Sequence, residues 1–350
     1  MGTHGKLNLW TGFSCAPVEG MCALYLAHLK DNICSGVEAH FHYLLNWMAY
    51  AVQHPDRPGE VAVVMRGKEG VGKGVAAREF GRLLGSHYRH ISQAGHLTGH
   101  FNAHLQQCSV LFADEAFFAG DRSHESILRA LITEDTLMIE PKGVDPFAVR
   151  NCLHLIMSSN NDWVIPAGAD ARRYFVLGVS DAKKQDHAYF AAIAREMDAG
   201  GREALLHHLL HRDLSSFNVR DVPQTDALAD QKAHTRRGVD RVVEVIAHSG
   251  ILPAAHGQHA NVAVTSGEEN GDGFYPKARI LAPDLKYDSS IVISAALKRD
   301  WVCEPWKSGY ERDLKLPPLN QLRDAFDKKH GPQDWPKPAY PGQEQDWGAA

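Results

Sequence analysis

The sequence predicts an α/β fold built on a parallel β-sheet, and three observations support this prediction. Short apolar runs of strand length recur through the middle of the chain and alternate with stretches of helical periodicity. One run, residues 61–65, leads into a glycine-rich turn and then a helical pattern. Another run, residues 108–113, ends in two consecutive acidic residues. Alternating strands and helices are typical of a parallel sheet with helices on its faces.

The same periodicity predicts four segments along the 350 residues. They are an N-terminal helical region (1–58), a core that carries the glycine-rich turn (59–182), a helical part that completes the core (183–239) and a C-terminal accessory region (240–350). The prolines at 55 and 58 set the first boundary. The pattern of the accessory region predicts a small α+β, winged-helix-like domain, with a long loop over 257–273 and a compact helix over 318–329.

Composition excludes several classes of protein. The net charge of -5 argues against a uniformly basic nucleic-acid coat, although a local basic path remains compatible with it. The six cysteines are scattered without a C-x-x-C pair, and the 21 histidines lack Cys, Asp or Glu at zinc-ligand spacing. No apolar run reaches the roughly 18–20 residues that span a bilayer. Because residues 1–6 also lack the apolar segment of a secretory signal, we expect no membrane association and a cytoplasmic location, in the host cytoplasm if a phage encodes the chain.

The glycine-rich turn satisfies the pattern G-x-x-x-x-G-K. Glycines let the backbone turn its N–H groups toward phosphates, the lysine places a cation on the β and γ oxygens, and the following helix offers its N-terminus to the anion. We therefore expect ATP to be bound by Gly67, Gly70, Val71, Gly72, Lys73, Gly74 and Val75. The Ser or Thr that usually follows the lysine is Gly74, so Mg²⁺ should depend more on acidic residues elsewhere.

Asp114 and Glu115 are the acidic residues expected to meet this need. They follow an apolar strand directly, which places both carboxylates at the carboxyl edge of the sheet beside the phosphate loop. We assign Asp114 to Mg²⁺ and Glu115 to an attacking water, and we place both in the metal's surroundings. The alternative interpretation is a helix cap.

Three further residues are candidates for the same chemistry. Asn160 is the last residue of the polar tip that follows the apolar run 153–157. It can orient water against the γ-phosphate, or it can be an ordinary turn residue at the end of a strand. Arg172 and Arg173 precede another strand, where one of them can act as an arginine finger on a neighbouring subunit's nucleotide. A surface ion pair is the alternative interpretation for these arginines.

Taken in order, the motifs resemble those of superfamily 3 helicases, a branch of the AAA+ ATPases. The similarity runs from about residue 8 to residue 235 and is closest to the helicase domain of phage and plasmid primase–helicase proteins. It implies a P-loop AAA+ core with ATP and Mg²⁺, and an ATP-dependent DNA helicase or translocase. It also implies a homo-oligomeric ring, expected to be a hexamer, that moves on single-stranded DNA beside a primase or polymerase domain or protein.

The resemblance adds a role for Lys142. In superfamily 3 enzymes, a hairpin between the acidic and Asn motifs presents a lysine to the DNA backbone inside the ring. The pattern of residues 136–149 predicts two short strands around a Pro/Gly/Asp turn, and Lys142 lies in that turn. A solvated surface lysine is the alternative.

Two other functions remain open at this point. A small-molecule nucleotide kinase also uses a Gly-x-Gly-Lys-Gly loop, and it would transfer phosphate to a nucleotide acceptor instead of water. A non-helicase AAA+ protein, either an ATPase or a degenerate scaffold, is the second alternative. The carboxylate pair and Lys142 favour the helicase over the kinase, and the intact lysine and carboxylates disfavour a degenerate scaffold.

Overall fold

The computed structural model describes residues 8–99, 101–116, 123–162, 164–165, 171–257, 259–266, 270–308, 311–336 and 347. The chain divides into two compact units, Met1–Thr235 and Arg236–Ala350. The finer division into four segments remains a prediction. Of the described helices, none combines the length and the apolar character that a bilayer crossing needs.

The first unit is organised around a parallel sheet. Its described strands are β1 (Ala62–Arg66), β2 (Tyr88–Ile91), β3 (Val110–Asp114), β4 (Thr136–Ile139), β5 (Phe147–Arg150), β6 (His154–Ser159) and β7 (Tyr174–Gly178). Five of them form a sheet in the order β2-β3-β6-β1-β7, and all four pairings are parallel. Strands β4 and β5 form a separate antiparallel hairpin. The coarse prediction, an α/β fold with a parallel sheet, is confirmed.

The sheet is buried on both faces, as expected for parallel strands. Successive side chains of β1 alternate between two apolar clusters, with Val63 and Met65 on one face and Ala62 and Val64 on the other. A strand that is covered on both sides needs apolar side chains at every position. The sequence therefore shows these strands as unbroken apolar stretches.

Helices supply the two covering layers. The described helices of the first unit are α1 (Ala23–Ala27), α2 (Glu38–Gln53), α3 (Lys73–Arg82), α4 (Ala94–Thr98), α5 (Ser123–Thr133), α6 (His187–Glu196), α7 (Arg202–Leu210) and α8 (Asp226–Thr235). Trp47 of α2 is fully buried, and its indole N–H donates to the carbonyl oxygen of Val61 at 2.9 Å. The Tyr25 hydroxyl of α1 donates to the carbonyl oxygen of Ala76 in α3 at 2.7 Å. The N-terminal helices are thus fixed against β1 and α3, on either side of the glycine-rich loop.

The second unit has its own core and its own sheet. Its described elements are α9 (Gly238–Ser249), β8 (Ala255–His256), β9 (His259–Ala263), α10 (Phe274–Leu281), α11 (Ser290–Asp300), β10 (Glu304–Ser308), β11 (Glu311–Lys315) and α12 (Leu319–His330). The strands form an antiparallel sheet in the order β10-β11-β9-β8. Trp301 and Phe326 stack in the core with ring centroids 5.5 Å apart.

One local prediction for this unit is wrong. The long loop expected over 257–273 contains β9, whose Val262 and Ala263 are buried in the core. The pairing of β9 with β11, which is distant in sequence, stabilises a segment whose composition favours a loop. The helix expected over 318–329 is observed as α12.

Candidate functional site

The loop between β1 and α3 has a backbone that requires glycine at two positions. Gly70 and Gly72 have φ angles of 78° and 95°, in the left-handed region that other residues rarely adopt. At Gly72 the requirement is also steric, because a Cβ would lie 2.6 Å from ring carbons of His28 and of Phe190. The turn is therefore fixed by conformation and by packing together.

Neighbouring elements hold the loop by its carbonyl groups. The side-chain amide of Asn32 donates to the carbonyl oxygen of Val71 at 2.5 Å, and Nε2 of His28 lies 3.1 Å from the carbonyl oxygen of Gly72. The backbone N–H of Gln185 donates to the carbonyl oxygen of Gly70 at 2.9 Å. Burial lowers the pKa of His28, which favours a neutral ring beside the loop. These contacts orient the loop before any ligand binds.

Lys73 lies inside the loop as the first residue of α3. Its ammonium donates to the carbonyl oxygen of Gly67 and, at 2.9 Å, to that of Lys68, and the residue is only 7% exposed. Burial lowers the pKa of Lys73, while the charges of Glu115 and Asp114 act in the opposite direction. A partly desolvated cation at a helix N-terminus is suited to bind an anion.

The remaining loop residues take up less specific positions. Gly74 is the second residue of α3, and a Cβ there would lie 2.5 Å from a guanidinium nitrogen of Arg78, the far end of a flexible side chain. Val75 packs against the apolar cluster on this face of the sheet. Gly74 offers no hydroxyl to a metal, so the carboxylates remain the hard ligands available from the expected set.

Asp114 and Glu115 are held by two serines of the neighbouring strand. Strand β3 pairs with β6, and Asp114 lies opposite Ser158. The Ser158 hydroxyl donates to Oδ1 of Asp114, and the Ser159 hydroxyl donates to Oε2 of Glu115 at 3.0 Å. His90 Nε2 approaches Oδ2 of Asp114 at 3.5 Å. The sequence singles out the carboxylates but not these partners.

Glu115 also has an unusual backbone. Its φ angle of 52° lies in the left-handed region, and its N–H donates to the carbonyl oxygen of Ser158 at 2.9 Å. Non-glycine residues at positive φ are uncommon and often occur where a turn must aim a functional side chain. The chain turns sharply at Glu115, directly after β3.

The sheet brings the loop and the carboxylates to one edge but not into contact. Strand β6 lies between β1 and β3, and neighbouring strands are about 4.8 Å apart, so β1 and β3 are separated by roughly 10 Å. Because all three strands are parallel, their carboxyl ends face the same side. This spacing leaves room for a polyphosphate and a metal ion between Lys73 and Asp114.

Asn160 lies at the same edge, immediately after β6, and is exposed. The register aligns Ser159 with Arg66, the last residue of β1. The loop, the carboxylates and Asn160 therefore surround one region at the carboxyl ends of β1, β6 and β3. The catalytic roles assigned to these residues stay predictions.

Arg172 and Arg173 lie at the opposite edge. They precede β7, which runs parallel to β1 from its first residue, so they stand at the amino ends of the strands. A five-residue strand is roughly 16 Å long, which separates them from Lys73 within one chain. The predicted finger on a neighbouring subunit's nucleotide does not require that proximity and stays a prediction.

Lys142 lies in the turn of the β4–β5 hairpin. The two strands pair antiparallel with Ile139 opposite Phe147, and Gly143 in the turn has a φ angle of 77°. Lys142 is exposed. The hairpin thus has the expected form, and the DNA contact of Lys142 stays a prediction.

The described residues contain no group of three or more His, Cys, Asp or Glu side chains placed to hold a metal ion. A magnesium site does not need such a group, because Mg²⁺ keeps several waters and binds one or two carboxylates together with substrate phosphates. Asp114 and Glu115, with hydroxyl groups beside them, provide hard oxygen ligands of this kind. The residues present therefore fit Mg²⁺.

Comparison with known proteins finds similarity to one family and to a phage protein. A family described only as a family of unknown function (DUF5906) matches residues 65–173. The DNA primase-polymerase of Nitratiruptor phage NrS-1 is 25% identical over 144 residues, which are 40% of this chain and 20% of that protein. The chain therefore matches about a fifth of this relative's length.

Solved structures of the NrS-1 C terminal region share the fold. The apo structure has a TM-score of 0.63 at 15% identity, and the match covers 87% of this chain and 77% of that one. The A form apo structure has a TM-score of 0.62 at 17% identity with the same coverage.

These findings overturn the predicted function. The motifs predict an ATP-dependent DNA helicase or translocase, but the curated relative is a DNA primase-polymerase, which points to priming and polymerisation. The helicase prediction is wrong, and the alternative activities, a nucleotide kinase and a non-helicase AAA+ ATPase, are wrong with it. The physical reason is that a phosphate loop, two carboxylates and an exposed lysine indicate phosphate and metal chemistry, which does not specify the process that uses it.

Proposed function

We propose that this chain is a nucleoside-triphosphate-binding part of a phage DNA-priming protein. The geometry of the loop 67–74 carries the proposal. Two left-handed glycines, fixed by side chains from other elements, shape a turn around the buried ammonium of Lys73 at the start of a helix. Such a turn, at the same sheet edge as two carboxylates, is suited to a triphosphate with its metal ion. The similarity to a primase-polymerase supplies the process.

In this proposal ATP is bound as its Mg²⁺ complex. Backbone N–H groups of the loop surround the phosphates, and Lys73 exchanges its carbonyl partners for phosphate oxygens. Asp114 and Glu115 are the residues that would hold Mg²⁺, and Asn160 lies at the same edge of the sheet. The metal would supply positive charge against the phosphates. The roles of Glu115 on an attacking water and of the two arginines on a neighbour's nucleotide stay predictions.

The finer fold assignment is part of the proposal. We infer that the first unit is a P-loop AAA+ core of the superfamily 3 type, without the helicase activity that this resemblance implied. Support comes from the strand–loop–helix unit, from the acidic strand two positions away in the sheet, and from the hairpin that follows it. A ring of six copies stays a prediction.

For the second unit we propose a winged-helix-like domain. Two consecutive helices, α10 and α11, are followed by the antiparallel pair β10–β11, which packs beside β9. A helix pair followed by a two-stranded wing is an arrangement that binds nucleic acid in many proteins. Single-stranded DNA is accordingly the proposed partner, through Lys142 in the first unit and this domain in the second.

The test measures primer synthesis on a single-stranded DNA template with labelled nucleotides. Product should form with the unaltered chain in the presence of ATP and Mg²⁺, and Lys73→Ala should reduce it at least tenfold. The matched control is Lys184→Ala, an exposed lysine outside the loop. No product from the unaltered chain would refute the priming role, and full activity of Lys73→Ala would refute the link between the loop and priming.

A further inference from the structure

A second region of positive charge lies away from the loop. A cavity of about 710 Å³ opens in the first unit beside the amino end of β7. Its lining residues come from the segment before β7, from the segment that leads into α8 and from α8 itself; they are Ala171, Arg172, Arg173, Arg220, Asp221, Val222, Gln224, Leu228 and Lys232. The volume falls in the range typical of ligand sites. Local sequence patterns do not connect the segment before β7 with the other two, and only the fold brings them together.

The cavity has an excess of cations. Arg172, Arg173, Arg220 and Lys232 line it against a single carboxylate, Asp221. Arg220 also forms an ion pair with Glu60, which does not line the cavity; its Nε lies 2.5 Å from a carboxylate oxygen of Glu60. The Arg220 side chain is 67% exposed, so solvent weakens this pair. Even with that pair discounted, the remaining charges leave a positive balance.

One nitrogen of the Arg173 guanidinium is buried without a partner among the described residues. This is Nε, which donates to no acceptor within the described part of the chain. A buried donor without a partner is destabilising, and more so when the group is charged. An anion in the cavity beside Arg173 would compensate the charge of its guanidinium. The unpartnered nitrogen therefore favours an acidic ligand at this site.

The lining also indicates which part of a ligand is recognised. None of its nine residues, all in the described part of the chain, has an aromatic ring. Proteins that bind nucleic-acid bases without pairing them depend on aromatic stacking platforms. Arginines and a lysine without such a platform suit phosphates, which Arg binds with two parallel N–H donors.

We propose that this cavity is a second phosphate-binding site, and that it takes backbone phosphates of a nucleic-acid strand. It lies at the opposite sheet edge from the loop 67–74 of the same chain, so the proposal does not rest on that nucleotide site or on the function proposed for it. A nucleic-acid strand bound there is held through its phosphate charges, and the binding is independent of base sequence. A free triphosphate shares this chemistry, and the experiment separates the two sources.

The test uses Arg220→Gln/Lys232→Gln, which removes two cations without altering Arg172 or Arg173. Fluorescence anisotropy of a labelled oligo-dT strand is measured from 50 to 200 mM salt, in a Lys73→Ala background so that the loop does not contribute. Each phosphate contact with a single strand contributes about 0.7 to the slope of log affinity against log salt, so the slope should fall by about 1.4. Arg195→Gln, an exposed arginine of α6, is the control and should leave the slope unchanged.

Two results would overturn the proposal. One is an oligo-dT affinity and salt slope in the double variant equal to those of the Arg195→Gln protein. The other is ATP binding that the double variant loses in the Lys73→Ala background while strand affinity is kept, because the ligand would then be a free triphosphate. Lys232→Gln alone keeps the Arg220–Glu60 pair and should lower the slope by about 0.7, which guards against a folding defect in the double variant.

Discussion

Gly72→Ala tests the loop at a position where both the backbone conformation and the packing require glycine. The new Cβ would occupy a backbone with a φ angle of 95°, which costs about 1–2 kcal/mol for a residue other than glycine. It would also lie 2.6 Å from ring carbons of His28 and Phe190, and overpacking of this kind costs about 1–3 kcal/mol. The two costs together predict that the free energy of unfolding falls by about 2–5 kcal/mol, a large share of the total for a domain.

A matched variant separates these two costs. Gly143 has a φ angle of 77°, and no atom lies within 4 Å of the place that a Cβ would take, so Gly143→Ala carries the conformational cost alone. We expect it to lose about 1–2 kcal/mol, less than Gly72→Ala by about 1–3 kcal/mol. Urea unfolding followed by tryptophan fluorescence measures both, because Trp47 is buried in the core of the same unit. Equal losses in the two variants would refute the packing of His28 and Phe190 against Gly72.

Three further predictions address the core, the metal and the hairpin. Burial lowers the pKa of His154 from 6.5 to about 4, so the unfolded chain binds a proton at higher pH and the folded state loses stability as the pH falls from 6.5 to about 4. His154→Gln should reduce that loss of stability by about 3 kcal/mol, measured by urea unfolding at the two pH values. An unchanged loss would contradict the burial of His154. Asp114→Asn should reduce the difference between the ATP affinities in Mg²⁺ and in EDTA by calorimetry, whereas an unchanged difference would exclude Asp114 as a ligand of the metal. Lys142→Ala should lower the salt slope of oligo-dT binding by about 0.7 with ATP affinity intact, and an unchanged slope would leave Lys142 a solvated surface lysine.

Much of the sheet can be predicted from the sequence because its strands are buried on both faces. Such strands appear as unbroken apolar runs, and the runs predict β1, β3, β6 and β7 near their observed positions. They do not predict β2. It is an edge strand with the sequence Tyr-Arg-His-Ile, and only Ile91 is buried, so its apolar signal is too weak to stand out.

The contacts that support the site could not be predicted from the sequence, for a different reason. His28 and Asn32 belong to the N-terminal region, and they reach the loop through tertiary packing that local patterns do not encode. The serines at 158 and 159 stand in the polar tip before Asn160, but their pairing with Asp114 and Glu115 follows from strand register. Register between two strands is set by the whole sheet and not by either segment alone.

The position of the arginines follows from the order of elements along the chain. Residues that precede a parallel strand lie at its amino end, and the loop follows its strand, so Arg172 and Arg173 must stand at the edge opposite Lys73. The order of elements could not have corrected the helicase prediction in the same way. Residues that bind phosphate and Mg²⁺ serve many reactions, and it is the similarity to a DNA primase-polymerase that counts against strand separation.

Calorimetric titration of ATP with Mg²⁺ into the unaltered chain and into Lys73→Ala tests the central claim most directly. Hydrogen bonds to a charged group contribute about 1.5–3 kcal/mol, so loss of the Lys73 ammonium should weaken binding about 10- to 100-fold. Lys184→Ala should bind as the unaltered chain does. Equal affinities for the unaltered chain and Lys73→Ala, or no binding by either, would contradict a nucleotide site in this loop.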